Sequence, residues 1–281
     1  MTRSPVKVER VGSFLLLTLN QPEIRNPLGP EVTAAMADAL TAAEGDDTIR
    51  AIVLRGAGEV FSAGGNLGSM QDRLKTAPPA DGVDPVFARN RPFGSFLARL
   101  ARYPKPVIVA VHGAAMGGGA GLVCAADVVI ACAGTRFSFT ETSLGLVPAQ
   151  ILPTVVARIG GASARRLMLT AERIDADEAL RLGLVDFVAP DMQALRAMLG
   201  DVLDRIGRTA PSAVARTKQL ALRCAAGETH TDEGLSRVLD DGATAFAAQM
   251  RSDGAEGVGA AREKRDPPWR VRFDRNALTE W

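Results

Sequence analysis

The sequence predicts an α/β fold followed by a helical C-terminal region, and three features lead there. Apolar runs such as "IRAIVLRGAG" and "VIVAVHG" read as strands buried on both faces, the pattern of parallel sheets. Helical stretches alternate with these strands up to about Asp191. Beyond that point the periodicity is helical throughout.

The elements follow in order. "VKVERVGSFLLLTLN" reads as two strands joined at Gly12, and "QPEIRNPLGP" as a proline-rich loop. "EVTAAMADALTAAEGD" has helical spacing, with Val32, Met36, Ala39 and Leu40 on one stripe. After the strand at "IRAIVLRGAG" comes the turn "FSAGGNL". The polar stretch over residues 68–92 has weak periodicity and reads as a mobile flap with a short helix at 70–74. "FGSFLARLARY" predicts a helix and "VIVAVHG" the next strand. "GLVCAADVVIA" begins as a helix and ends as a strand, "RFSFTETSLGLVP" is strand and loop, and "ILPTVVARIGGASARRLMLTA" is largely helical. Four further helices fill the C-terminal part, so the chain divides into an α/β core over 1–195 and a helical region over 196–281. Apolar stripes on that tail need a surface to cover them, either the chain's own core or a partner subunit.

Composition excludes several function classes. Of 281 residues, 33 are basic and 32 acidic, a net charge of +1 that gives no field for nucleic acid or an anionic membrane. Aromatics at 5% argue against base-stacking platforms. Cys124, Cys132 and Cys224 show no paired or metal spacing and read as small apolar side chains in a reducing cytosol. "MTRSPVKVER" has no apolar signal region. A spanning helix over residues 110–131 would bury His112, Asp127 and five glycines in lipid, so a soluble, cytoplasmic protein is expected.

That same segment, "AVHGAAMGGGAGLVCAADVVIA", raises the question of what needs so much bare backbone. The Walker pattern fails because Gly119 and Ala120 follow Gly118 where Lys and Ser/Thr belong. The dinucleotide fingerprint fails at Leu122, and no G-x-S-x-G elbow occurs. His112 and His230 have no metal-ligand spacing and read as structural. What remains is main-chain donors: the first N–H groups of a helix lack intrahelical partners, and glycines let a ligand approach them. "FSAGG" offers a second bare turn, and two N–H groups aimed at one oxygen suit an enolate or a tetrahedral oxyanion. Tight packing also accounts for either turn taken alone.

Together, "VFSAGGNL", "KPVIVAVHGAAMGGGAGLVCAADVVIA", "FSFTETSLGLVP" and "EGVGAAREKR" resemble the crotonase superfamily of enoyl-CoA hydratases and isomerases, over nearly the whole chain. The resemblance implies a spiral of ββα units, with C-terminal helices that form a homotrimer or a hexamer built as a dimer of trimers. It implies an acyl-CoA thioester substrate and no separate cofactor, CoA being part of the substrate. Its oxyanion-hole donors map to the N–H groups of Gly65 and Gly118. Of the two glutamates that family hydratases place about the C2–C3 bond, one maps to Glu141 and the other to Gly121, which carries no side chain.

The acid–base pair is therefore incomplete. One carboxylate suffices to move a double bond from C3 to C2, and "FTETSLGL" resembles the isomerase motif. Hydration by one glutamate needs a cyclic transfer through water or another acid, for which Asp72, Asp81 and Asp84 stand by location only. "GGGAGLVCAADVVIA" with "GLVPAQILP" is similar to hydratases of branched or isoprenoid-derived acyl-CoAs, which favours hydration. A catalytically silent acyl-CoA binder is the third reading. Leu144, Leu146 and Val147 predict an apolar pocket that raises the pKa of Glu141 toward the working pH. The resemblance also implies CoA contacts from Arg25, from Ser62, Ala63 and Gly64, and from Lys264 across a subunit boundary. The acyl pocket falls to residues 68–92 and 149–152.

Overall fold

A computed structural model describes residues 4–66, 68 and 82–278. The hairpin β1 (Val6–Val11) and β2 (Phe14–Leu19) leads through a proline-rich loop to α1 (Pro30–Glu44) and then β3 (Ala51–Gly56). Next come α2 (Pro85–Ala101), β4 (Val107–Val111), β5 (Ala114–Met116), α3 (Gly118–Cys124), β6 (Val128–Cys132) and β7 (Arg136–Ser138). A 3-10 turn at Glu141–Leu144 precedes α4 (Leu152–Thr170), β8 (Ile174–Asp175), α5 (Ala176–Arg181) and β9 (Phe187–Ala189). The chain then continues as α6 (Met192–Ile206), α7 (Pro211–Ala225), α8 (Asp232–Met250) and α9 (Asp253–Glu263).

Among the described residues, the larger sheet has the order β1-β2-β3-β4-β6-β9, parallel except at β1–β2. A smaller sheet, β5-β7-β8, stands beside it. After β4 the chain turns at Gly113 (φ +65) into β5 and then α3, and after β6 it passes into β7 and then α4. Each pass contributes one strand to each sheet and then a helix, the ββα unit that the family resemblance implies.

The continuous apolar runs are explained by burial on both faces. Alternate residues enter different cores: Leu15, Leu17, Ile52, Leu54, Val107 and Val109 in one, Phe14, Leu16, Ala51, Val53, Ile108 and Ala110 in the other. The first core is closed by α1, α2, α3 and α4, through side chains such as Met36, Leu40, Leu97 and Val155. The stripe of α1 buries Val32, Met36, Leu40 and Ala43, with Ala39 at its half-buried edge. The second core is closed by Leu195, Leu199 and Leu203 of α6, with Phe273 packed edge-on against Phe14 at 5.4 Å. The division between residues 195 and 196 thus falls inside α6, a helix of the core.

Helix α2 starts earlier than the sequence suggests, and part of the expected flap is helical. Pro85 occupies the first turn, where no N–H is required, and the Asp84 carboxylate caps the helix by accepting from Val86 N. Pro92 removes one interior helix bond without ending the helix. Read as breakers, these prolines hid the first two turns. The expected helix at 70–74, with Asp72 and Asp81, lies outside the described residues.

Beyond α6 the helices bury little: α7 has no buried residue, while Leu235, Leu239, Phe246, Met250 and Val258 of α8 and α9 are exposed. Polar ties among the described residues hold this region to the sheet. Lys218 of α7 pairs with Asp127 at 2.7 Å, and the buried Arg50 guanidinium donates to the carbonyls of Thr209 and Trp269. No helix among the described residues is long and apolar enough to cross a membrane.

Candidate active site

A cleft of about 430 Å³ opens where the two glycine turns meet the loop after β7. Gly65, Gly117 and Gly118 line it together with Thr140 and Glu141, and Ile24, Pro27, Leu144 and Leu146 supply apolar lining.

The turns are adjacent because β5 runs beside the segment that follows β3, pairing Ser62 with Ala115. A Cβ placed on Gly64 would lie 2.5 Å from the Met116 carbonyl oxygen and 3.5 Å from Gly118 N. With φ at +86°, Gly64 is glycine for two independent reasons, the conformation and the closeness of the other turn. Gly117, at φ +49°, turns the chain from β5 into α3. Its own N–H is spent on the Ser138 carbonyl at 2.8 Å. Among the described residues neither Gly65 N–H nor Gly118 N–H has a hydrogen-bond partner, and both residues line the cleft.

Glu141 stands beside them. Its Oε1 lies 3.0 Å from where a Gly117 Cβ would be, so the bare α-carbon is what admits the carboxylate. Oε2 is buried with no hydrogen-bond partner among the described residues. Desolvation pushes the Glu141 pKa above the ordinary glutamate range. A desolvated carboxyl group with a raised pKa gives up its proton less readily than an ordinary glutamate, which suits it to both accepting and donating one.

Comparisons with known proteins place the chain in a family. The enoyl-CoA hydratase/isomerase family model matches residues 9–272. The 2,3-dehydroadipyl-CoA hydratase of Escherichia coli (strain K12) is 32% identical over 270 residues, 96% of this chain and 100% of that protein. An enoyl-CoA hydratase/isomerase structure from Marinobacter aquaeolei superposes with a TM-score of 0.88 at 41% identity, covering 94% of this chain and 98% of that one. Pseudomonas aeruginosa AtuE superposes with a TM-score of 0.87, also at 41% identity, covering 95% and 100%. This chain belongs to the enoyl-CoA hydratase/isomerase family.

Within this family member the remaining sequence-predicted residues fall as follows. Gly121 is buried in α3, and a Cβ there would lie 2.3 Å from Ile151 Cγ2. The position at which the sequence resemblance expects a second glutamate is thus closed by an isoleucine from the 149–152 segment. Glu141 is the one titratable side chain among the described residues of the cleft wall. Asp84, a helix cap, does not line the cleft.

Ser62 needs correction as a CoA contact. It is fully buried, its N–H donates to Ala114 O, its carbonyl accepts from Met116 N, and its hydroxyl donates to Asn26 O at 2.7 Å. Gly64 is also internally engaged, donating to Ser62 Oγ at 3.1 Å and accepting from Leu28 N at 2.8 Å. Ala63 does line the cleft. Arg25 is exposed in the left-handed conformation (φ 65) between the lining residues Ile24 and Pro27. Lys264 caps the C-terminus of α9, exposed and outside the cleft wall. Val147 is exposed and does not line the cleft, unlike Leu144 and Leu146.

His112 is buried with Nε2 2.8 Å from the Gly58 carbonyl, and desolvation lowers its pKa. It ties the end of β4 to the loop after β3, a structural task. His230 sits exposed in a 3-10 turn.

Sequence reasoning missed Asn26, Phe93 and Ile151. Asn26 is buried at φ 51° and holds the loop before α1, while the Phe93 ring lies 3.4 Å from where a Gly118 Cβ would be. An Asn before Pro27 in a glycine-poor loop was a usable signal, since Asn tolerates the left-handed region. Nothing in the sequence pairs Ile151 with Gly121.

Proposed function

We propose that this chain adds water reversibly across the C2–C3 double bond of a 2-enoyl-CoA. The observation that carries the reading is the meeting, in one cleft, of two glycine N–H groups that have no partner among the described residues with a desolvated carboxyl group whose Oε2 likewise has none there. The thioester oxygen accepts from Gly65 and Gly118, which stabilises the enolate as it forms. Glu141 takes a proton from water as the water oxygen bonds C3. The proton then passes from the Glu141 carboxyl to C2, and the carboxylate is restored. One group serves both steps because the second position is filled by Ile151 over Gly121.

CoA lies along Ala63 and Arg25, with Lys264 reaching it from a neighbouring protomer. The exposed apolar face of α8 and α9 is assigned to a homotrimer, or a dimer of trimers, and the protein to the cytoplasm. Branched or isoprenoid-type acyl groups are the favoured substrates. The single carboxylate favours a second reading, migration of a 3-enoyl to a 2-enoyl double bond through a dienolate. Separate incubations with 2-enoyl-CoA and 3-enoyl-CoA, followed by mass, distinguish them. Hydration adds the mass of one water to the 2-enoyl substrate. Isomerisation of the 3-enoyl substrate with no hydration overturns the lyase reading, and binding without either reaction leaves a silent acyl-CoA binder.

A further inference from the structure

We propose that Ser62 is a positioning residue that sets the separation between the Gly65 and Gly118 donors; this rests on the reading that those two N–H groups hold the thioester oxygen. Ser62 is the residue through which the two turns are joined. Its backbone is clamped to β5 by two bonds, N–H to Ala114 O and carbonyl from Met116 N, both 3.0 Å. Met116 lies two residues before Gly118. The Ser62 hydroxyl accepts from Gly64 N at 3.1 Å, one residue before Gly65. The same hydroxyl donates to Asn26 O at 2.7 Å. Ser62 is 0% exposed, and its Cβ lies 2.9 Å from where a Gly119 Cβ would be, so the side chain is held on the α3 side as well.

The anchor beneath it is rigid. Asn26 is 1% exposed, its Oδ1 accepts from Gln21 N at 2.9 Å, and its Nδ2 donates to Ala57 O at 2.8 Å and Val60 O at 2.9 Å. The Asn26 carbonyl therefore has a fixed position, and the hydroxyl transmits that position to Gly64. Without the hydroxyl, Gly64 N–H loses its acceptor. The 63–65 turn keeps the bonds from Ala63 N to Arg25 O at 2.9 Å and from Leu28 N to Gly64 O at 2.8 Å, both to the loop before α1. It loses the side-chain bond that fixes Gly64 relative to Ser62 and so to β5. Donor misplacement of about 1 Å is enough to lower a rate on the order of a hundredfold.

The test uses Ser62→Ala, with Ser62→Cys as a second variant that keeps the volume but offers only a weak sulfur acceptor. Two readouts are taken on the full-length protein. The first is kcat and KM with but-2-enoyl-CoA. The second is the infrared carbonyl stretch of bound butanoyl-CoA labelled with ¹³C at the thioester, a ligand that cannot be hydrated. The expected result is a lowered carbonyl stretch in wild type that moves back toward the free value in both variants. A drop in kcat of about ten- to a hundredfold, with KM little changed, accompanies it. Variants that lose thermal stability yet keep the wild-type carbonyl stretch and kcat would overturn the proposal and leave Ser62 purely structural. A wild type that shows no carbonyl shift at all would instead sink the oxyanion reading, and this inference with it.

Discussion

A methyl group added at Gly121 meets Ile151 almost at once. The new Cβ would sit 2.3 Å from Ile151 Cγ2 and 2.6 Å from Ile151 Cβ. Both atoms lie at the root of a β-branched side chain that is stiff about χ1, and Ile151 is itself buried, so it cannot swing aside. Overpacking of this kind costs about 1–3 kcal/mol, so Gly121→Ala is expected to destabilise by about that much. Ile151→Ala leaves a cavity and costs about 2–5 kcal/mol. In the double variant the added methyl enters the space that the isoleucine vacates. The pair is therefore expected to be less damaging than the sum of its parts by about 1–3 kcal/mol. Equilibrium urea unfolding at one fixed protein concentration measures all four corners of the cycle. Additivity within about 0.5 kcal/mol would refute the claim that Ile151 closes the Gly121 position. The same geometry predicts that Gly121→Glu fails to create a second acid by itself, because the glutamate has nowhere to go until Ile151 is shortened.

Glu141→Gln is expected to lower kcat by about a hundredfold or more while acyl-CoA binding persists, read by steady-state kinetics and calorimetry. The wild-type carboxyl has a native pKa raised above 4.5 by desolvation, so its contribution to stability is fully present below that value and is lost as pH rises through the native pKa. The glutamine variant should therefore gain in Tm relative to wild type at pH 8, the gain shrinking toward pH 4, and a pH-independent difference would contradict this. Gly64→Ala combines a left-handed φ of +86° with a 2.5 Å approach to the Met116 carbonyl. It should cost about 1–2 kcal/mol from conformation alone and lower kcat about a hundredfold or more, as seen by thermal melts and turnover. Arg50→Met removes the donors to Thr209 and Trp269, and should cost about 1–3 kcal/mol and speed limited proteolysis beyond α6.

The strands and most helices were legible in the sequence because burial on both faces leaves an unbroken apolar run, as in β3 and β4, and amphipathic helices leave a stripe, as in α1. The two bare turns after buried strands were legible as local features, whereas the choice of Gly65, Gly118 and Glu141 within them came from the family resemblance. Helix α2 was not legible over its first turns, because Pro85 and Pro92 read as breakers and only the capping geometry at Asp84 shows otherwise.

By itself the sequence determined the α/β alternation, the two glycine turns and the absence of a side chain at Gly121. Only the tertiary structure decided that the two turns touch, that Ser62 is buried between them rather than offered to a ligand, and that Ile151 fills the place above Gly121. The physical reason is one of range. Backbone conformation and burial period are written in neighbouring residues, whereas the distance between Gly64 and Gly118 is set by how β5 pairs with the segment after β3, which no local pattern encodes.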